Sequence, residues 1–305
     1  MPEYGVVGTG ALGGYYGGML ARAGRDVHFL LRGDYEYVRE NGLRVDSVNG
    51  DFRLPAVNAY SAVDDMPLCD VVLVCVKTTE NGGLPDLLRP LLRPGSVVLL
   101  LQNGLGVEED LATRLPEAEI AGGLAFICSQ KAGPGHIRHL DYGKLDIASY
   151  NVKNTVVLNK IIDDFRAAEV PAELSEDLQF ARWRKLVWNI PFNGLTVVMN
   201  TTTDRLIAHD STRRLTREIM LEVILGANRC GAGLKESLAQ KMMDMTLEMI
   251  PYAPSMKLDY DNRRPMEIKY IYSRPVETAA RAGFCMPKVA MLENQLRFIG
   301  DEARQ

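Results

Sequence analysis

Tyr4-Gly-Val-Val-Gly8-Thr-Gly10-Ala-Leu-Gly13-Gly-Tyr-Tyr-Gly17-Gly18 stands at the head of the sequence, and its reading decides the fold. Tyr4 to Val7 reads as a short buried strand, Gly8-x-Gly10-x-x-Gly13 as a turn, and Ala11 to Ala23 as the helix that follows. In such a turn the first glycine permits the tight bend. The second lets a pyrophosphate approach the backbone, and the third lets helix and strand pack closely. Free N–H groups at the helix start, with the positive end of the helix dipole, then face the phosphates. A bare glycine pattern is a weak signal. A strand before it and a helix after it supply the context that gives it meaning.

The second strand chooses the cofactor. Gly24 ends the helix, Asp26 to Leu31 reads as a strand, and Arg32 follows it, nineteen residues past Gly13. An enzyme using NAD would place Asp or Glu there to hold the ribose 2′-hydroxyl. The fork of an arginine suits a 2′-phosphate instead, the plain alternative being a solvated surface arginine. NADP(H) is the cofactor expected, with Gly8, Thr9, Gly10, Ala11, Leu12 and Gly13 against its phosphates and Arg32 at the 2′ position.

Composition narrows the classes. The 305 residues are enough for two domains, and 47% hydrophobic with 24% charged content is that of an ordinary globular protein. A net charge of −4 gives no electrostatic reason to expect nucleic acid or an anionic membrane. No secretory signal and no apolar run of about eighteen residues is visible, so a cytoplasmic location is expected. The five cysteines are scattered without a CxxC pair, which fits reduced, buried thiols better than a disulfide framework.

Along the chain, Asp34 to Asn41 predicts a short helix stopped by Gly42, and Val48-Asn49-Gly50 predicts a hairpin between Leu43 and Leu54. Cys69 to Val76 is a continuous apolar run, the pattern of a strand buried on both faces. Lys77-Thr78-Thr79 lies at its C-terminal end, where ligands bind in a doubly wound sheet. Leu84 to Leu92 reads as a helix ended by Arg93-Pro94-Gly95. Ser96 to Leu101 reads as a strand leading to Gln102-Asn103-Gly104 at the same sheet edge. Ile120 to Ser149 predicts antiparallel strands, Val156 to Ala168 a helix and Val170 to Leu174 a last short strand. From Ser175, a plausible N-cap, the pattern becomes helical, with Pro191 expected to kink the first long helix. Further helices are expected at Ser211–Arg229, Lys235–Met249, Met266–Ala282 and Val289–Ile299. The expectation is an α/β Rossmann-type domain with a mostly parallel sheet (residues 1–174), then an all-helical domain (175–305), with the active cleft between them.

The chemistry is carried by Lys185, Asn189 and Asn193, spaced i, i+4 and i+8. On a helix they form one stripe about 12 Å long, surrounded by Leu186, Val187, Trp188, Ile190 and Phe192. A lysine there either snorkels to solvent or sits in a partly dry site. In the dry site burial lowers its pKa toward neutrality and suits it to proton transfer.

Gly8-x-Gly10-Ala11-x-Gly13, Arg32, Val74-Cys-Val-Lys77, Gln102-Asn103-Gly104, the Lys185/Asn189/Asn193 helix and Ser255 with Glu267 together resemble the 2-dehydropantoate 2-reductase (ketopantoate reductase) family, nearly end to end. The resemblance implies that Lys185 is the general acid, protonating the C2 oxygen of a 2-oxo acid as NADPH delivers hydride to C2. It implies that Glu267 contacts the substrate hydroxyl and orders the site, and that Asn103 lies near the nicotinamide and the lysine. Asn189, Asn193 and Ser255 would hold the substrate's hydroxyl and carboxylate. Lys77 would lie near the cofactor, and Arg32 would take the 2′-phosphate. Reduction of a 2-oxo acid builds negative charge on the carbonyl oxygen, which a protonated lysine both stabilises and quenches. The expected function is reduction of ketopantoate in pantothenate synthesis. A paralogue acting on another 2-oxo acid and an NADPH-binding redox sensor without turnover stand as alternatives. A homodimer through the helical domain is left open.

One departure from the family concerns Asn193. Well-studied members carry Asn-Pro-Leu-Thr, whereas this chain has Asn193-Gly194-Leu195-Thr196 with Pro191 two residues earlier. His136-x-x-His139 lacks a carboxylate or thiol at ligand spacing and reads as a surface pair, and no metal is expected. Met242, Met243, Met245 and Met249 read as helix core, and Cys75 as buried packing. Arg263-Arg264 reads equally as a lure for an anionic substrate or a solvated turn.

Overall fold

The computed structural model describes residues 2–249, 251 and 253–302. They fall into two compact units. The first runs to Gln102 and again from Val107 to Leu178, and the second takes Asn103–Gly106 and the chain from Gln179 onward.

The first unit is an α/β unit around one sheet. In chain order it holds β1 (Glu3–Val7), α1 (Ala11–Arg22), β2 (Asp26–Leu30), α2 (Tyr35–Asn41), β3 (Leu43–Ser47), β4 (Phe52–Leu54), β5 (Asn58–Tyr60) and β6 (Cys69–Val74). There follow α3 (Leu84–Leu88), β7 (Leu92–Leu100), α4 (Val107–Arg114), β8 (Glu119–Gly133), β9 (His136–Ser149), α5 (Thr155–Ala167) and β10 (Ala172–Leu174). The strand order is β4-β3-β9-β8-β7-β6-β1-β2-β5, with β10 against β9. Pairing is parallel except in β8/β9 and β3/β4. The apolar runs of β1, β6 and β7 are covered on both faces, which is why they read as near-continuous hydrophobic stretches. β1 pairs with β2 on one side and β6 on the other. It therefore sits where the strand order reverses, the place where such sheets bind ligands. The Tyr4 hydroxyl donates to Asp164 of α5 (2.7 Å), and Asp164 pairs with Arg25 (3.0 Å), so this strand is anchored from below its loop.

The second unit is helical: α6 (Leu178–Val198), α7 (Thr203–Ala208), α8 (Asp210–Arg229), α9 (Ser237–Glu248), α10 (Ser255–Asp261), a π-helical turn (Lys269–Ser273), α11 (Arg274–Arg281) and α12 (Pro287–Glu302). Trp183, Leu186, Val187, Ile190 and Phe192 of α6 lie in its apolar core. α6 runs through Pro191 without ending there.

Several elements differ from the sequence reading. The helix expected over Leu84–Leu92 stops at Leu88, passes through a 3-10 turn (Arg89–Leu91) and gives way to β7 at Leu92. Pro90 has no N–H to continue it. Arg93-Pro94-Gly95 is thus not a helix stop but a bulge, across which pairing jumps from Cys69–Leu92 to Val71–Val97. α6 starts at Leu178, not at Ser175, because the Ser175 N–H still bonds to the Ile147 carbonyl (2.7 Å) at the sheet. α4, α7 and α10 were not anticipated; at eight residues or fewer they carry too short a periodic pattern. Met242 and Met243 are core as expected, but Met245 is exposed and Met249 is half-buried.

Candidate active site

Two glycines of the first turn, Gly8 and Gly13, have a visible reason in the packing. Gly8 takes φ 98°, and a Cβ there would stand 2.6 Å from the Val76 nitrogen at the end of β6. A Cβ on Gly13 would run into the Gly8 carbonyl and lie 2.9 Å from Val6 Cγ1, so α1 lies directly on β1. Gly10 is different, for a Cβ there would meet nothing within 4 Å. The protein's own packing does not demand a glycine at that position; a ligand reaching the backbone would. α1 has no capping side chain and no acidic residue in its first turn, leaving its first N–H groups and dipole to an anion. Thr9 Oγ1 donates to the Leu30 carbonyl (3.0 Å), fixing the turn to the end of β2. These features fit the pyrophosphate of a dinucleotide, which Gly8 to Gly13 would hold.

Arg32 follows β2 with an exposed side chain, and its Nη1 lies 3.1 Å from Glu80 Oε2. Glu80 belongs to a 3-10 turn (Thr78–Gly83) that Lys77 leads into from the end of β6. Gln102 braces that turn, donating to the Val76 carbonyl (3.0 Å) and Asn81 Oδ1 (2.6 Å).

In the second unit, three contacts draw four segments together. The loop Asn103–Gly106 belongs here by its packing. The Leu105 N–H bonds to the Tyr270 carbonyl (2.8 Å), and a Cβ on Gly104 (φ 101°) would meet Tyr270 backbone at 2.5 Å. Only glycine lets the loop bearing Asn103 lie so close to the segment bearing Glu267. That segment is tied in turn to α6, where the Tyr272 hydroxyl donates to the Ile190 carbonyl (2.9 Å). The Met256 N–H donates to Asn193 Oδ1 (3.0 Å), bringing Ser255 and the start of α10 to the same helix. Lys185, Asn189, Asn193 and Glu267 are all buried. Each residue expected from the sequence for the catalytic part therefore lies on one of four linked segments.

Residues 4–151 match the model of the Ketopantoate reductase PanE/ApbA family, and residues 177–300 match the model of that family's C-terminal region. The chain belongs to the ketopantoate reductase family. It is 49% identical to a 2-dehydropantoate 2-reductase of Nostoc sp., across 99% of this chain and 96% of that protein. Among solved structures it is similar to a 2-dehydropantoate 2-reductase from Geobacter metallireducens (45% identity, TM-score 0.94, 97% of this chain and 99% of that one). A second, from Methylococcus capsulatus, has 29% identity and a TM-score of 0.90 over 99% and 98% of the two chains.

In this ketopantoate reductase family member Gly194 follows Asn193 within α6. A Cβ there would lie 2.5 Å from Leu292 and 2.8 Å from the Tyr272 hydroxyl, so the small residue admits the tyrosine that braces α6. Tyr270, Tyr272 and Glu80 escaped the sequence reading. The positive-φ Gly104 was quoted there, but its partner is remote in sequence. Trp188, beside Asn189, donates to Thr246 (3.0 Å) and stacks on Phe192.

The residues set aside have structural employment, although His139, expected at the surface, is buried. His136 Nε2 lies 2.8 Å from Asp46, and His139 lies between Ser47 (2.8 Å) and the Asp141 and Tyr142 carbonyls (3.1 and 3.0 Å). Cys75 packs on the sheet's core, and burial raises its thiol pKa far above the ordinary range. Arg264 pairs with the buried Asp259 (3.1 Å), while Arg263 is exposed in a turn with φ 53°. Among the described residues, no helix is long and apolar enough to cross a membrane.

Proposed function

We propose that the chain reduces 2-dehydropantoate to pantoate with NADPH, in pantothenate and coenzyme A biosynthesis, with Lys185 as proton donor. Residues 1–174 would hold the dinucleotide, and residues 175–305, with Asn103, the catalytic groups. The observation that supports this reading is that the segments bearing Asn103, the Lys185/Asn189/Asn193 helix, Ser255 and Glu267 are linked within one unit through backbone-directed contacts.

When bound, NADPH supplies a hydride to the C2 carbon. Lys185 delivers a proton to the C2 oxygen, whose negative charge its ammonium also stabilises as it builds. Its buried setting on α6 strengthens that interaction relative to water. Asn189 and Ser255 hold the substrate's hydroxyl and carboxylate, and Glu267 takes the hydroxyl. Asn193 orients Ser255 through the Met256 N–H, a role its engaged carboxamide oxygen supports. Asn103 and Lys77 sit with the cofactor.

The test is Lys185→Ala. Loss of a general acid should lower kcat at least about 100-fold, while NADPH affinity, set by the glycine turn and Arg32, stays within about twofold. Equal loss of both, or of neither, would remove Lys185 from that role. Tight NADPH binding with no turnover of any 2-oxo acid by the unaltered chain would favour a sensor.

A further inference from the structure

Arg32 and Glu80 come from the ends of two strands that are not neighbours. β2 and β6 flank β1, so their backbones stand about 10 Å apart, two strand spacings. The 3.1 Å ion pair therefore reaches across the mouth of the Gly8–Gly13 turn. Glu80 does not swing freely on a loop. Its N–H bonds to the Lys77 carbonyl (2.9 Å), and Gln102 pins the same turn at Val76 and Asn81. Side-chain exposures of 70% for Arg32 and 44% for Glu80 make this a weak pair that solvent and salt already loosen.

The guanidinium offers a planar fork that fits carboxylate and phosphate alike. Glu80 engages one nitrogen of that fork, Nη1, and so competes for a donor that a 2′-phosphate would use. When NADPH binds, its 2′-phosphate must displace Glu80, which stays tethered nearby as a like charge. NADH brings no phosphate, leaves the pair intact and meets no such opposition.

Resting on the NADPH reading above, we propose that Glu80 is a cofactor-selectivity residue: it competes with the 2′-phosphate for Arg32 and so narrows the preference for NADPH over NADH. The carboxylate charge is the active feature, and the isosteric amide should remove it.

The test is direct binding of NADPH and NADH, by nicotinamide fluorescence without substrate, to the unaltered chain, Glu80→Gln, Arg32→Ala and the double variant. Glu80→Gln should tighten NADPH about three- to tenfold, the range expected from freeing one exposed arginine and removing one repulsion. NADH should move less than about twofold. The gain should shrink in the Arg32→Ala background, since coupled residues are non-additive, and at high salt. Glu80→Ala should act in the same direction. An unmoved NADPH-to-NADH ratio in Glu80→Gln, or a gain kept in full without Arg32, would overturn the proposal alone. Binding of neither cofactor by the unaltered chain would overturn the NADPH reading and this inference with it.

Discussion

Replacing Gly10 and Gly13 by alanine, one at a time, separates what the fold needs from what the ligand needs. At Gly13 the new methyl would collide with the Gly8 carbonyl and press on Val6 Cγ1 at 2.9 Å, so α1 must lift off β1. Overpacking of that kind costs about 1–3 kcal/mol. In a unit of this size each kcal/mol lowers Tm by about 2–4 °C, so Gly13→Ala should melt roughly 2–12 °C lower. At Gly10 the methyl would meet no protein atom within 4 Å, and Tm should fall by no more than about 3 °C. The cofactor is affected in the opposite sense. A methyl at Gly10 would hold the pyrophosphate off the N–H groups of α1, and a charge-assisted hydrogen bond is worth about 1.5–3 kcal/mol. NADPH affinity should therefore drop about 10- to 150-fold. Scanning calorimetry without cofactor and fluorescence titration with NADPH measure the two quantities independently. A Gly10→Ala chain that melts as low as Gly13→Ala, or that binds NADPH as well as the unaltered chain, would refute this account of the turn.

Three further outcomes follow from particular contacts. Asn193→Ala strips the Met256 N–H of its acceptor, at a cost of about 1–3 kcal/mol. Tm should fall by several degrees and KM should rise, whereas Asn193→Asp, which keeps an acceptor oxygen, should recover part of the Tm; an unchanged Tm in Asn193→Ala would refute the link. Burial pushes the Cys69 and Cys128 thiols up to about 12 and raises Cys75 and Cys230, while Cys285 is exposed. At about pH 8 a disulfide reagent should label Cys285 promptly and the buried Cys69 and Cys128 only on unfolding, because the thiolate is the nucleophile; prompt labelling of Cys69 or Cys128 would count against the packing. Burial holds the His139 pKa below its ordinary 6.5. The unfolded chain then binds that proton first, so stability should fall as pH drops from about 6.5 through the lower folded value, and the effect vanishes above that window. His139→Gln should flatten this part of the Tm–pH curve, and an unaltered slope would be the contrary result.

Much of the first unit was legible in the sequence because its signals are local. The glycine turn, the apolar runs of β1 and β6, and Asn49-Gly50 each announce themselves within a few residues. The bulge at Arg93–Gly95 was not, since a proline and glycine pair reads as a stop until the partner strand is known. The Lys185/Asn189/Asn193 stripe was visible from helical periodicity, and its link to Glu267 and Ser255 came from family resemblance. What periodicity could not show is how the four segments meet. Those contacts run through backbone groups of Ile190, Met256 and Tyr270, and no side-chain pattern encodes them. Glu80 was missed for a related reason. Its meaning lies in its distance to Arg32, forty-eight residues away in sequence.

The most direct test of the central claim is steady-state loss of reduced-nicotinamide absorbance, with 2-dehydropantoate set beside a panel of other 2-oxo acids and with NADPH set beside NADH. The account predicts efficient turnover of 2-dehydropantoate, ahead of the rest of the panel and faster with NADPH. Turnover of a different 2-oxo acid would keep the chemistry and contradict the substrate. Binding of NADPH with no turnover across the panel would contradict the enzyme itself.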